Sequence, residues 1–365
     1  MTIPVKLSAF EAALAQQLPA GDLRAELEGR GLPHRRVEDW KWSDLRTALA
    51  RLPADAGELT LTMSRAPDAR RPLMDAPDQI MARLAAALGG QAQVYDLHNG
   101  ETLTLDASVA AGAGHGAIVV RARDGVHAVV RERYSAAPGA TLNLYIHYAI
   151  SPRAHLTRII EQDASPDAVI VVTTTMELSQ RAHADQTTLG FGAKLARLET
   201  HVSHGGQGAT LEMNGAYLVG EGLHLDQTGI VRHTGPGGTT RELFKGAAAH
   251  GGRGVFQGKI HVERAAQKTD AKMHHRGLLL DGRSEIDAKP ELEIYADDVV
   301  CAHGNALGAM DAAALFYMRQ RGLSEPRARA LLTQSFLAEP LERLADEAVR
   351  DALMARLQTA LEGVS

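Results

Sequence analysis

The sequence predicts a mainly β fold, a long body of short strands bracketed by helical regions at both ends of the chain. Three observations carry this. From Val94 to Gly308 the chain is a succession of short apolar or alternating runs, among them "AIVVRA", "TLNLYIHYAI" and "AVIVVTTTMEL", separated by Gly, Asp, Asn and Pro. No helical period of ordinary length interrupts that stretch, which argues against βαβ units. On either side the composition turns to Ala, Leu, Glu, Gln and Arg, with apolar residues at helical spacing. The expected division is an N-terminal helical region over 1–93, a β body over 94–308 and a C-terminal helical region over 309–365.

In chain order, Leu7 to Arg30 reads as helix, with Phe10, Leu14 and Leu18 at helical spacing, and Gly31 and Pro33 punctuate it. "RRVEDWKWSDL" (Arg35–Leu45) holds both tryptophans. A second helix is expected over Pro77 to Leu88, stopped by Gly89-Gly90. The strands that follow fit a sandwich or barrel, or a β-solenoid. Irregularly spaced Gly and Asn turns, over 200 residues of strand texture and only 4% aromatics lean toward stacked rungs, although no short hexapeptide repeat is present. A solenoid needs both ends covered, and helices at each end of the chain could supply that cap. After Gly308, Asp311 reads as an N-cap and Gly322 as a stop, and a further helix opens at Ser324-Glu325-Pro326 with Leu332 and Phe336 on one face. Val349, Leu353, Leu357 and Leu361 then recur every four residues, a stripe that packs on the chain's own body or docks a partner.

The 365 residues suffice for a large core, and 45% hydrophobic with 23% charged residues is a globular balance. A net charge of -5 without a Lys/Arg run argues against a nucleic-acid surface. One cysteine makes no internal disulfide. The opening "MTIPVKLSAFEAALAQQ" lacks the leader pattern, and no run approaches the roughly 18 apolar residues of a membrane span. The expected compartment is the cytoplasm.

The chemistry-bearing stretch is "PELEIYADDVVCAHGNALG" (Pro290–Gly308). On a strand, Cys301 and His303 point to one face, about 6 to 7 Å apart at their Cα atoms, so thiol and imidazole can converge. They could be metal ligands, a nucleophile with its base, or an ordinary buried patch. Two ligands are too few for a structural zinc, so a metal site here borrows ligands from another chain. Asp297 and Asp298 could orient His303 or serve as the acid and base of a carbohydrate-active β-helix; the plain alternative is a solvated turn. His201 with His204, and His274 with His275, are less specific candidates among sixteen histidines. "GVFQGKI" fails as a P-loop, because Arg253 stands at the first glycine and Ile260 at the magnesium-binding hydroxyl, and "GPGG" (Gly235–Gly238) reads as a turn.

Together, "GVFQGKIHVERAAQKTDA" (Gly254–Ala271), "LLLDGRSEIDAKPELEIYADDVVCAHG" (Leu278–Gly304) and "LFYMRQRGLSEPRARALL" (Leu315–Leu332) closely resemble the SufB/SufD family of iron-sulfur cluster assembly proteins, and "EDWKW" (Glu38–Trp42) resembles its N-terminal motif. The length and the single late cysteine favour the SufD side. The resemblance implies a right-handed parallel β-helix with helical segments at both ends. It implies a non-catalytic scaffold that pairs with SufB and binds the ATPase SufC through its C-terminal helical region, with Leu332, Phe336, Val349, Leu353 and Leu357 as candidate contacts; an isolated chain could form a homodimer. It places Cys301 and His303 near the SufB interface as candidate cluster and metal ligands, His303 the preferred one. The iron-sulfur cluster would be transient and shared with SufB, with none tightly bound to the chain alone. The chain departs from the family pattern at Lys272–Gly277, Ala288 and Asn305-Ala306.

Overall fold

The computed structural model describes residues 6–73, 78–205 and 207–363. Residues 1–5 of the opening stretch and the expected helix start at Pro77 lie outside the described residues.

The stretch expected as one helix is two, α1 (Ala9–Gln17) and α2 (Asp22–Arg30). Pro19 and Gly21 separate them, since proline cannot donate into a helix and glycine is a poor interior residue. Ser8 and Glu11 cap α1 reciprocally, and the Glu11 carboxylate also accepts from the Leu32 amide and from Arg46, tying the two helices to the next segment. A 3-10 turn (Glu38–Trp40) and α3 (Leu45–Leu49) follow.

Strands begin earlier than the composition indicates. β1 (Leu59–Met63) and β2 (Ala69–Arg71) precede α4 (Ile80–Leu88), which ends at Gly89 as expected. The body then runs through β3 (Ala92–Leu97), β4 (Thr102–Val109), β5 (Ala113–Ala122), β6 (His127–Ala136), β7 (Thr141–Ile150) and β8 (His155–Gln162). It continues with β9 (Val169–Leu178), β10 (His183–Gly190), β11 (Leu195–His204), β12 (Thr210–Val219) and β13 (His224–His233). The last turns are β14 (Thr239–Ala248), β15 (Arg253–Val262), β16 (Asp270–Leu279), β17 (Glu285–Ile294) and β18 (Val300–Ala309). From β3 onward, odd strands stack in one sheet and even strands in the other, all parallel, so each turn of a β-solenoid contributes one strand to each sheet. Ala113 pairs with Thr141 and Thr141 with Val169, a turn of 28 residues, whereas Arg253 pairs with Glu285, a turn of 32. This drift hides the repeat from a search for a fixed period.

The interior is a continuous apolar column, with Ile118, Ile146, Val172, Leu198, Phe256 and Ile260 from one sheet facing Leu156, Leu211, Phe244 and Met273 from the other. The helices, which the sequence offered as caps, lie along the sheet faces. α1 to α4 lie against the outer face of the odd-strand sheet, packing on Val119, Val169, Val171 and Leu195. α6 (Glu325–Leu341) and α7 (Glu347–Glu362) lie against the outer face of the even-strand sheet. At the N-terminal end the two sheets finish in antiparallel strands: β1 runs antiparallel to β4, and β2 antiparallel to β3. At the other end, among the described residues, β17 pairs only with β15, and β18 only with β16. Pro290, in the middle of β17, is tolerated because that strand is an edge.

Asp311 caps α5 (Ala312–Gln320) through the amides of Ala313 and Ala314, as expected. The α7 stripe is fully committed. Val349, Leu353, Leu357 and Leu361 are buried with Leu189, Phe191, Leu218, Leu337 and Leu341. Val349, Leu353 and Leu357, offered by the sequence as partner contacts, are therefore core residues, because the four-residue spacing that aligns them also faces them onto the solenoid. Among the described residues no helix is long and apolar enough to cross a membrane.

Candidate functional site

The bare C-terminal end carries the chemistry-bearing stretch. In β18, Cys301 stands beside Ala271 of β16, His303 beside Met273 and Asn305 beside His275. Ala271, Met273 and His275 are buried in the interior column, so Cys301, His303 and Asn305 continue that column onto a strand with no further rung over it. The two-residue spacing thus does place Cys301 and His303 on one face, and the open end exposes His303. The row is anchored from below: Tyr217 Oη lies 3.0 Å from Nε2 of His275, whose Nδ1 lies 2.9 Å from Asn305 Oδ1. A neutral His275 that accepts from the phenol and donates to the amide oxygen satisfies both contacts, and burial lowers its pKa to about 4, keeping it neutral.

Cys301 is half-buried against the core, and His303 forms no hydrogen bond or ion pair among the described residues. Burial pushes the thiol pKa up; the Ala271 backbone pulls it down and the Asp270 charge adds to the rise. That setting is opposite to the electropositive one that activates a nucleophilic cysteine. Of the two side chains, the imidazole is the one with no hydrogen-bond or ion-pair partner among the described residues.

Asp297 and Asp298 sit in the exposed bend between β17 and β18, and Asp298 is paired with Lys268. They form no acid–base pair facing a cleft. His201 binds Glu199 at 2.5 Å on the outer face, whereas His204 is buried beside His233; His274 points outward and His275 inward. Strand alternation therefore separates His274 from His275, and His201 and His204 similarly take opposite faces. "GVFQGKI" is strand β15 and "GPGG" is a turn.

The end is also the apolar part of the surface. Ile294, Tyr295, Val300, Leu307, Phe316 and Tyr317 are the exposed large hydrophobics of β17 and the residue after it, β18 and α5, with Tyr295, Val300 and Phe316 60%, 61% and 64% exposed. Beside them a groove of about 370 Å³ is lined by Leu278, Leu307, Met310, Leu332 and Phe336. Apolar groups of this size left in water mark an interaction surface.

Two polar clusters were not singled out from the sequence. Inside the solenoid Arg158 donates to Glu132 at 2.8 and 2.9 Å, to Gln186 at 2.7 Å and to Thr174 at 2.8 Å, and the Tyr134 and Tyr148 hydroxyls donate to Glu132. Arginine at inward parity between Leu156 and Ile160 was the available signal. Outside the odd-strand sheet, Arg197 bridges Glu199 at 2.9 Å and Asp226 at 2.6 Å. The "EDWKW" segment covers this cluster: Trp40 lies over Arg197, Glu38 pairs with Lys289 at 2.7 Å, and the Asp39 carbonyl accepts from Gln257. Two of the motifs that carry the family resemblance, about 250 residues apart in the chain, thus meet in space.

Comparison with known proteins agrees with this geometry. Residues 105–336 match the family described as SUF system FeS cluster assembly, SufBD core domain. The chain is 32% identical to the iron-sulfur cluster assembly protein SufD of Escherichia coli over 59% of its own length and 51% of that protein. It is 30% identical to a SufBD family protein of Synechocystis sp. over 55% of the chain and 45% of the relative. With a SufBD family protein of Mycobacterium bovis it shares 27% identity over 99% of the chain and 97% of the relative. The chain thus spans about half the length of the first two relatives and nearly the whole of the third. With its parallel solenoid, its flanking helices and the matched core, the chain belongs to the SufBD core family of the SUF iron-sulfur cluster assembly system.

Proposed function

We propose that this chain is a non-catalytic, SufD-like scaffold subunit that pairs with SufB through its bare C-terminal end, binds the ATPase SufC through its C-terminal helices, and contributes His303 to a transient iron-sulfur cluster held at the SufB junction. The observation that carries this reading is the coincidence, on one end of the solenoid, of two unpaired strand edges, six exposed hydrophobic side chains and the Cys301–His303 row. Unpaired edges are templates for another chain's strands, and the apolar side chains supply the buried area that such pairing needs.

The row fits a shared site. Imidazole is a good ligand for iron, His303 is free, and a scaffold offering one or two ligands leaves the others to its partner. Cys301, with its pKa raised, lines the junction or ligates only after iron displaces its proton. With α7 committed to the core, the SufC contact falls to α5 and α6, where Phe316 and Tyr317 are exposed and Leu332 and Phe336 line the apolar groove.

Anaerobic reconstitution with SufB, SufC, iron and sulfide, followed by visible absorbance and iron content, tests this reading. The wild-type complex should accumulate cluster; His303→Ala should form the same complex and accumulate less. Normal accumulation in that variant removes the ligand role. A chain that fails to join SufB at all removes the pairing.

A further inference from the structure

The outer face of the even-strand sheet carries a second constellation, far from the C-terminal end in the order of turns. His127, His155 and His183 occupy the same position on β6, β8 and β10, each 28 residues after the last, so their rings form a column across three turns. Ring centroids are 5.6 Å apart between His127 and His155 and 4.3 Å apart between His155 and His183. Asp185 lies two residues after His183, on the same outward face. Its carboxylate occupies the notch between two rings, Oδ2 being 2.7 Å from His155 Nε2 and Oδ1 2.8 Å from His183 Nε2.

We propose that His155, His183 and Asp185 form a binding site for a divalent first-row transition metal ion. The potential ligand atoms of the three residues lie within 4.8 Å of one another. Adjacent strands are about 4.8 Å apart, so two imidazoles in register on neighbouring turns are held at a separation that one ion can bridge after small side-chain rotations. The backbone is fixed by ladders on both sides of β8 and of β10, so the donors are held in position before any ion arrives. Both rings present Nε2 to the same notch, and the side chains are 30–37% exposed, which leaves the solvent side for water or a further ligand.

Two imidazoles and one carboxylate on one side of an ion, with open positions opposite, is a donor set suited to zinc, ferrous iron or cobalt; an all-oxygen ion such as calcium is disfavoured. Glu212, beside Asp185 on the next turn, adds negative charge at the rim. His127 places a third imidazole next to His155, outside the three-residue cluster. The alternative is a carboxylate that only accepts a hydrogen bond from each ring.

The untagged full-length chain, stripped with a chelator, would be titrated with Zn2+ by calorimetry and with Co2+ by visible absorption. The proposal expects one ion per chain with nitrogen–oxygen cobalt bands. His183→Ala and Asp185→Asn should each weaken affinity at least about tenfold. Zn2+ should raise the melting temperature of the wild type and not that of Asp185→Asn, which retains the side chain's shape, so a folding defect is told apart from a lost ligand. Cys301→Ala and His303→Ala should bind as the wild type does. Absence of stoichiometric binding, unchanged affinity in both site variants, or loss of binding in the His303 variant instead would overturn the proposal. Loss of binding in the His303 variant would move the ion to the C-terminal end; the other outcomes leave the scaffold reading untouched, because its test reads cluster accumulation with SufB and SufC.

Discussion

The guanidinium of Arg197 lies 4.2 Å from the centroid of the Trp40 ring, roofed by a segment 157 positions earlier in the chain. Arg197 has no exposure to water and is paired with Glu199 and Asp226, and the latter also accepts from Ser43 at 2.5 Å. An ionic cluster on the outside of a sheet is dry here only because the N-terminal segment covers it, which is a structural reason for a tryptophan in "EDWKW".

Trp40→Ala should therefore lower stability by about 3 kcal/mol, since it removes a buried aromatic and wets a paired cluster. Arg197→Met should cost a similar amount by leaving Asp226 and Glu199 facing each other without their cation. Urea unfolding followed by circular dichroism checks both; a midpoint within error of the wild type would show that the segment does not seal the cluster.

Glu242, inside the solenoid on β14, has neither carboxylate oxygen hydrogen-bonded, and burial raises its pKa to about 8. The folded chain thus holds this proton over a range where the unfolded chain has released it. Its contribution to stability is full below the ordinary carboxylate pKa near 4.5 and is lost as pH rises through about 8. The loss by pH 7 is on the order of 3 kcal/mol. Glu242→Gln should be more stable than the wild type at pH 8 and flatten the decline between pH 5 and 8, as read from melting temperatures across that range.

Cys301 should react slowly with iodoacetamide at pH 7.5, more slowly than a free thiol, because burial holds it protonated. Mass spectrometry of the labelled chain reads the rate. Labelling as fast as that of a small-molecule thiol would mean that the end of β18 is open to a depth its half-buried side chain does not allow.

On the helices, Leu353→Ala should destabilise the chain by about 2–5 kcal/mol, because it opens a cavity beneath α7. Phe316→Ala should shift stability by less than about 0.5 kcal/mol and weaken SufC binding. Thermal melts and calorimetric titration with SufC separate the two effects. Weakened binding in the Leu353 variant alone would return the docking role to α7.

The texture of the β body was legible because strand composition and turn residues are local properties. So were the Asp311 cap, the Gly89 stop and the shared face of Cys301 and His303. The stacking was less so. A left-handed turn position recurs on successive turns at Gly125, Arg153, Arg181, Gly208, Gly237 and Lys268, where an amide bonds the carbonyl of the next turn. Three of the six are not glycine, so the residue that ordinarily marks this conformation does not trace the period. The Arg158–Glu132 pair and the His155–Asp185 notch depend on register between turns, which a single strand's pattern does not encode. The openness of the Cys301 end was hidden for a related reason. Terminal helices looked like caps, and only the packing of Leu353 and its neighbours shows that they lie along the flank.

The two ends of the stack differ in strand direction: the N-terminal end finishes in antiparallel strands, β1 on β4 and β2 on β3, and the other finishes in parallel β17 and β18. A strand that joins at the β17–β18 end can continue the parallel ladder, whereas one that joins at the β1–β2 end meets strands of reversed direction, so the chain is a directional template.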